Sequence, residues 1–137
     1  MIRKIIVLSY VFLFFTAFKL YADQNDYVTA YYFYTTIRCR SCHNIENYTG
    51  ETINKNFADQ LESGSLKYTA INIEEKGNEH FVKDYNLYTK SVVLSLVKDG
   101  KEIKSKNLDK VWQYLGNKNK FTEYVKTETE SFLNELK

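Results

Sequence analysis

Residues 27–43 read YVTAYYFYTTIRCRSCH, and this stretch decides the fold. Residues 27–36 are dense in Val, Tyr, Phe and Thr, which favour strands, and they show little polar alternation. We therefore predict a strand that is buried on both faces. Cys39 and Cys42 follow at once, and from Ile45 onward the apolar residues recur at helical spacing. The cysteine pair is thus predicted to lie where a buried strand gives way to a helix.

Downstream of the cysteines, helical and strand patterns alternate, and the turns are marked by glycine because the chain contains no proline. Alternation of this kind predicts an α/β fold, a mixed central sheet flanked by helices. The first predicted helical stretch covers 42–61; Gly50 breaks or kinks it and Gly64 ends it. Strands are predicted over 66–73, 91–97 and 102–106, with a hairpin turn at Asp99-Gly100 between the last two. The remaining predicted helices are a short one over 79–85, one over 108–115 that is capped by Asn107 or Asp109 and closed by Gly116, and an amphipathic final helix over 121–136.

Residues 1–22 have the pattern of a secretory signal peptide. Arg3 and Lys4 precede an apolar run, and Ala22 offers a small residue at the cleavage point. The run is shorter than the roughly 20 residues that span a bilayer, so an uncleaved membrane anchor is the alternative rather than the first interpretation. We predict one domain over residues 23–137 in an exported protein, periplasmic or extracellular, that touches a membrane only if the signal remains as an anchor.

The charge of the predicted mature chain argues against nucleic acid as a partner. The whole chain carries a formal charge of +2, and its first 22 residues hold three basic and no acidic side chains. Without them the chain is close to neutral, and it lacks the basic excess of a nucleic-acid-binding domain.

The spacing of the two cysteines points to redox chemistry. At a helix start, Cys39 meets unpaired N–H groups and the positive end of the helix dipole, and Arg38 and Arg40 flank it. These surroundings lower the pKa of a thiol and favour the thiolate. Cys42, one helical turn on, can then attack a mixed disulfide on Cys39. We predict that Cys39 attacks, Cys42 resolves and Arg38 and Arg40 stabilise the thiolate, with no cofactor besides the redox-active Cys39–Cys42 disulfide.

A buried strand, then Cys-x-x-Cys at a helix start, then an apolar strand that runs into Asp99-Gly100-Lys101, resembles the thioredoxin superfamily. The resemblance covers the whole predicted mature chain and implies a thioredoxin-like fold. A narrower set of residues resembles the exported bacterial thioredoxin-like family known as the nitrophenyl compound nitroreductase subunit family. These residues are Tyr31-Tyr32-Phe33, Arg38-Cys39, Cys42, Ile45-Glu46 and Thr49.

The resemblance implies a thiol–disulfide oxidoreductase or redox partner that acts on protein thiols or disulfides, or on a dedicated redox partner. It also implies a substrate groove lined by Ser91 and Val92. Many superfamily members have a cis-proline at the position of Val92, and most have a tryptophan at the position of Arg38. A buried acid that members carry on the first strand has no match in residues 27–36. These departures favour a specialised role over general disulfide exchange.

Three other interpretations of the pair remain open. Cys39 to His43 spells Cys-x-x-Cys-His, the attachment signature of c-type haem, with His80 as the second axial ligand. Cys39, Cys42 and His43, with His80, could instead hold zinc or copper(I) in a non-enzymatic metal-binding or accessory subunit. A purely structural disulfide is disfavoured, because the loop-entropy formula gives about 2 kcal/mol for so short a loop against ~4–5 kcal/mol for a 100-residue loop.

Overall fold

The structure, a computed structural model, describes residues 26–137. The predicted signal peptide lies outside the described residues. No helix within residues 26–137 is long and apolar enough to cross a membrane. The elements are β1 (Tyr27–Tyr34), α1 (Arg40–Asn56), α2 (Ala58–Ser63), β2 (Leu66–Asn72), α3 (His80–Asp84), β3 (Ser91–Lys98), β4 (Lys101–Asn107), a 3-10 turn η1 (Asp109–Val111) and α4 (Lys118–Asn134).

The four strands form one mixed sheet in the order β2-β1-β3-β4. β1 runs parallel to β2 and antiparallel to β3, and β3 forms an antiparallel hairpin with β4. Central β1 and β3 are buried almost throughout, as their continuous apolar sequences require, whereas the edge strand β4 is exposed along its whole length. The predicted mixed sheet flanked by helices is confirmed.

The two faces of the sheet carry different layers. One face, the cysteine face, packs against α1 and α4 and holds the larger core, which includes Tyr32, Ile45, Leu94, Phe121 and Phe132. The other face, the aromatic face, holds a smaller cluster of Phe33, Leu87 and Val93, covered by Tyr31, Ile71, Ile73, Phe81 and Tyr85. Because side chains alternate along a strand, β1 sends Tyr32 to the first face and Phe33 to the second.

The predicted break at Gly50 is wrong. α1 continues through Gly50 to Asn56, and the chain bends at Phe57, whose buried ring separates α1 from α2. A Cβ on Gly50 would lie 3.5 Å from the ring of Tyr68, an ordinary van der Waals distance, so α1 passes β2 at this point without requiring a glycine. Glycine inside a helix costs only about 0.5–1 kcal/mol, which tertiary packing overrides. Gly64, with φ of +79°, ends α2 as predicted.

The predicted helix over residues 108–115 is also wrong. Only the 3-10 turn η1 forms there, and neither of the predicted caps makes a side-chain capping bond. Leu108 and Val111 are buried, and the indole N–H of Trp112 donates to the carbonyl oxygen of Lys90 at 3.0 Å. These tertiary contacts fix the segment as a turn. The Asp99-Gly100 hairpin is confirmed, with φ of +51° and +74°, the left-handed conformation that a tight two-residue turn requires.

Candidate redox site

The two cysteines meet at the amino end of α1. Cys39 occupies the position just before the helix in an extended conformation, with φ of −85° and ψ of 170°, and Cys42 lies in the first turn. Both are free thiols, and their Sγ atoms are 2.6 Å apart. Cys39 is exposed, whereas Cys42 is only 1% exposed. An incoming group can therefore reach Cys39 but not Cys42.

The surroundings move the two thiol pKa values in opposite directions. The pKa of Cys39 is lowered, first by a hydrogen bond from the Cys42 thiol and then by the backbone N–H groups of Cys42 and Ser41. The pKa of Cys42 is raised, first by burial and then by its hydrogen bond to Cys39. The charged form is thus favoured on the exposed sulfur, which is the requirement for an attacking thiol.

Tyr32 supports this turn of helix from below. Its hydroxyl donates a hydrogen bond of 2.7 Å to the carbonyl oxygen of Cys42, and its ring is wholly buried. Burial, followed by the charge of Cys42, raises the pKa of Tyr32 above its ordinary range, so the phenol stays protonated as a donor. Sequence reasoning assigned this tyrosine to the strand and missed the contact, because the hydroxyl partner lies ten residues away across a loop.

The two arginines beside Cys39 are placed differently from each other. Arg38 forms an ion pair with Glu46 of α1, and its guanidinium carbon lies 4.3 Å from the centre of the Tyr34 ring. Arg40 is exposed at the first residue of α1 and forms no ion pair within residues 26–137. The main causes of the lowered Cys39 pKa are the Cys42 thiol and backbone N–H groups. Stabilisation of the thiolate by the arginines remains a prediction, and Arg38 has another partner.

Ser91 and Val92, predicted to line a substrate groove, turn their side chains away from the surface. Val92 is fully buried, and Ser91 is 4% exposed, with its hydroxyl donating to the carbonyl oxygen of Thr89 at 2.8 Å. Their side chains are buried because β3 is covered on both faces from its first residue, and the lining of a substrate groove by Ser91 and Val92 stays a prediction. The loop that precedes them carries half-buried Lys90 and almost fully exposed Tyr88.

The histidines do not join the cysteines in a metal site. No group of three or more His, Cys, Asp or Glu side chains within residues 26–137 could hold a metal ion. His43 is exposed on α1, and His80 lies on α3, where its Nδ1 is 2.7 Å from a carboxylate oxygen of Asp84. The alternative set of Cys39, Cys42 and His43 with His80 therefore has no support in the described part of the chain.

A cavity of about 520 Å³ lies at the far end of α1, away from the cysteines. It is lined by Asn56, Phe57, Gln60, Ser65, Glu130, Leu133, Asn134, Leu136 and Lys137. The cysteine pair itself sits at the surface rather than in a closed pocket, because Cys39 is exposed.

Comparisons with known proteins give similarities at the level of solved structures. No family model and no curated protein matches the chain. Fasciola hepatica thioredoxin is 19% identical with a TM-score of 0.42, over 78% of this chain and 86% of that chain. Chlamydomonas reinhardtii thioredoxin f2 is 15% identical with a TM-score of 0.39, over 74% and 87%. A structure described as a malarial protein is 12% identical with a TM-score of 0.39, over 59% and 80%.

The architecture itself fits the resemblance seen in the sequence. A parallel β1–β2 pair, an antiparallel β3–β4 hairpin on the other side of β1, and Cys-x-x-Cys at the start of the helix after β1 stand together in one sheet domain. The described residues therefore have an α/β thioredoxin-like fold that carries a Cys39–Cys42 pair.

Proposed function

We propose that this protein is an exported thiol–disulfide oxidoreductase or redox partner that cycles Cys39 and Cys42 between the dithiol and the disulfide. The observation that carries the proposal is the contrast between the two adjacent sulfur atoms. Cys39 is exposed and its pKa is lowered, whereas Cys42 is buried and its pKa is raised. A purely structural cysteine is typically buried, and Cys39 is exposed.

The reaction needs no group beyond the two thiols. The Cys39 thiolate attacks a substrate disulfide, forms a mixed disulfide and releases one substrate sulfur as a thiolate that takes a proton from water. Cys42 then loses its proton and attacks the Cys39 sulfur, which releases the second substrate thiol. Two electrons have moved from the cysteine pair to the substrate, and the reverse sequence oxidises a dithiol.

Exposed apolar side chains around Cys39 support a protein partner. Ile37, two residues before Cys39, is 85% exposed, and Tyr88, in the loop before β3, is 95% exposed. Because β1 and β3 are antiparallel, the loop after β1 and the loop before β3 lie at the same end of the sheet. Large apolar side chains left in water beside a reactive thiol suit a protein surface better than a small polar substrate. A dedicated partner, as in the nitroreductase subunit family, is the narrower form of this proposal.

The place of the reaction follows from the signal-peptide pattern of residues 1–22. We propose that cleavage after Ala22 delivers residues 23–137 to the periplasm or the extracellular space. Oxidising compartments of this kind are where protein disulfides form and persist, so they supply substrates for the pair.

The test is a trapping experiment in the producing cell. Replacing Cys42 with serine removes the resolving thiol, and we expect partner proteins to accumulate on Cys39 as mixed disulfides that dithiothreitol releases. The Cys39→Ser variant is the matched control, because its remaining thiol is buried, and it should trap nothing. Equal trapping by both variants, or none by Cys42→Ser in a protein shown to be folded, would contradict the proposal.

A further inference from the structure

Arg38 and Glu46 close a ring of contacts around the cysteine turn. Arg38 pairs with Glu46 and covers the ring of Tyr34, and the Tyr34 ring stacks on Tyr32 with centroids 5.9 Å apart. Tyr32 in turn donates to the carbonyl oxygen of Cys42, which stands one helical turn before Glu46. The ring ties the loop that carries Arg38 to both the strand below it and the helix beside it.

The ion pair in this ring is partly withdrawn from water. The side chains of Arg38 and Glu46 are 23% and 28% exposed, so solvent screens their attraction less than it would for a fully exposed pair. Burial first, and the charge of Glu46 among the further causes, raise the pKa of both Tyr32 and Tyr68. The Tyr68 hydroxyl additionally donates to the Glu46 carbonyl oxygen at 3.4 Å.

We propose that Glu46 is a positioning residue that holds Arg38 against Tyr34 and so keeps the guanidinium charge from the Cys39 thiolate. This inference rests on the proposed redox function of the pair. A positive charge that is released toward Cys39 stabilises the thiolate, and a stabilised thiolate makes the reduced form more favourable. Glu46 therefore holds the couple at a more reducing potential than the arginine alone would give.

The proposal predicts how substitutions of Glu46 and Arg38, alone and together, change the redox equilibrium of the cysteine pair with glutathione. Glu46→Gln leaves Arg38 without a counter-charge, so we expect the equilibrium with glutathione to shift about three-fold to ten-fold toward the dithiol, or about 14–30 mV. Arg38→Gln leaves the Glu46 carboxylate without its counter-charge, so any shift that it causes should be toward the disulfide. The double variant should lie near the wild type, and Glu46→Asp, which keeps the charge, should do so too.

Redox titration of the full protein against glutathione, with thiol alkylation as the readout, measures the equilibrium constant between the dithiol and the disulfide for each variant. Glu51→Gln is the matched control, because Glu51 is an α1 carboxylate that pairs with Lys55 and Lys118 away from the cysteines, and it should shift nothing. Thermal unfolding of each variant reports whether it is folded.

Two outcomes overturn the inference. One is a folded Glu46→Gln variant whose redox equilibrium constant with glutathione equals that of the wild type. The other is a shift of three-fold or more toward the disulfide in the double variant, which has neither charge; that shift would mean that Arg38 stabilises the thiolate directly, and it decides even if Glu46→Gln alone fails to fold. Either result leaves the redox function intact, whereas a wild-type pair that does not titrate with glutathione contradicts the function itself.

Discussion

Tyr31 and Tyr32 are neighbours in β1 but serve opposite faces of the sheet. On the cysteine face, the Tyr32 hydroxyl holds the Cys42 carbonyl, and the layer above it is built from the long helices α1 and α4. On the aromatic face, Tyr31 stacks on Phe33 with centroids 5.2 Å apart, under the single turn of α3. The difference shows that alternate side chains of β1 have different roles: those on one face contact the turn that carries the cysteines, and those on the other face form a hydrophobic core.

The largest expected effect comes from the aromatic face. Phe33 is fully buried, so Phe33→Ala should lower the free energy of unfolding by about 3–5 kcal/mol through lost burial and a cavity. In the molecules that remain folded, the pH dependence of Cys39 alkylation should be unchanged, because the ring faces away from the cysteines. Urea unfolding and alkylation kinetics measure the two quantities separately.

Phe33→Leu, which leaves a smaller cavity, is the control that keeps enough folded protein for kinetics. If the pH dependence of Cys39 alkylation shifts more in the less stable of these two variants, the two faces of the sheet are coupled. That result would contradict the separation of roles between the aromatic face and the cysteine face.

A smaller effect separates the two tyrosines. Tyr32→Phe removes the side-chain donor from the Cys42 carbonyl, which keeps its partner within α1, and we expect a loss of about 0.5–1.5 kcal/mol in unfolding free energy. It should also slow the release of a mixed disulfide, because the turn that carries Cys42 is less firmly held. Tyr31→Phe is the matched control on the same strand, and denaturation with stopped-flow release of a mixed disulfide compares them. Equal effects of the two substitutions would remove the assigned role of Tyr32.

The smallest expected effect is on how the free energy of unfolding depends on pH in the alkaline range. The pKa of Tyr32 is raised by burial, so the fold keeps a proton that the unfolded chain releases above the ordinary tyrosine pKa of about 10. Stability should therefore be constant below that pH and fall above it, by at most about 1.4 kcal/mol per pH unit for this group. Measured on the disulfide form, in which the cysteines do not titrate, Tyr32→Phe should flatten this slope more than Tyr31→Phe.

The central strands could be predicted from the sequence because burial on both faces leaves a continuous apolar run, as in β1 and β3. The two failures, at Gly50 and at residues 108–115, share one cause. Each segment packs against a residue distant in sequence, the side chain of Tyr68 beside Gly50 and the carbonyl oxygen of Lys90 bound by Trp112. Local propensity does not contain those contacts.

The cysteine pair could be predicted from the sequence, whereas its contacts with residues distant in sequence could not. Spacing alone identified Cys39 and Cys42, since two thiols one helical turn apart can meet wherever the helix begins. The partner of Arg38 was missed because it depends on which way the arginine folds back over β1. The burial of Val92 agrees with its place inside the apolar run of residues 92–94, which predicted the strand there.

The exposed edge strand β4 has a consequence for how the protein behaves at high concentration. An unpaired edge offers backbone groups to a strand of another molecule, and this is a common route to aggregation. Here the edge carries Lys101, Lys104 and Lys106, and its pairing with β3 is interrupted between Leu96 and Val97. Lys104 and Lys106 pair with Glu135 and Glu128 of the C-terminal helical region, so a second strand added at this edge would have to bury or break these ion pairs and match an irregular register. Both features discourage edge-to-edge association.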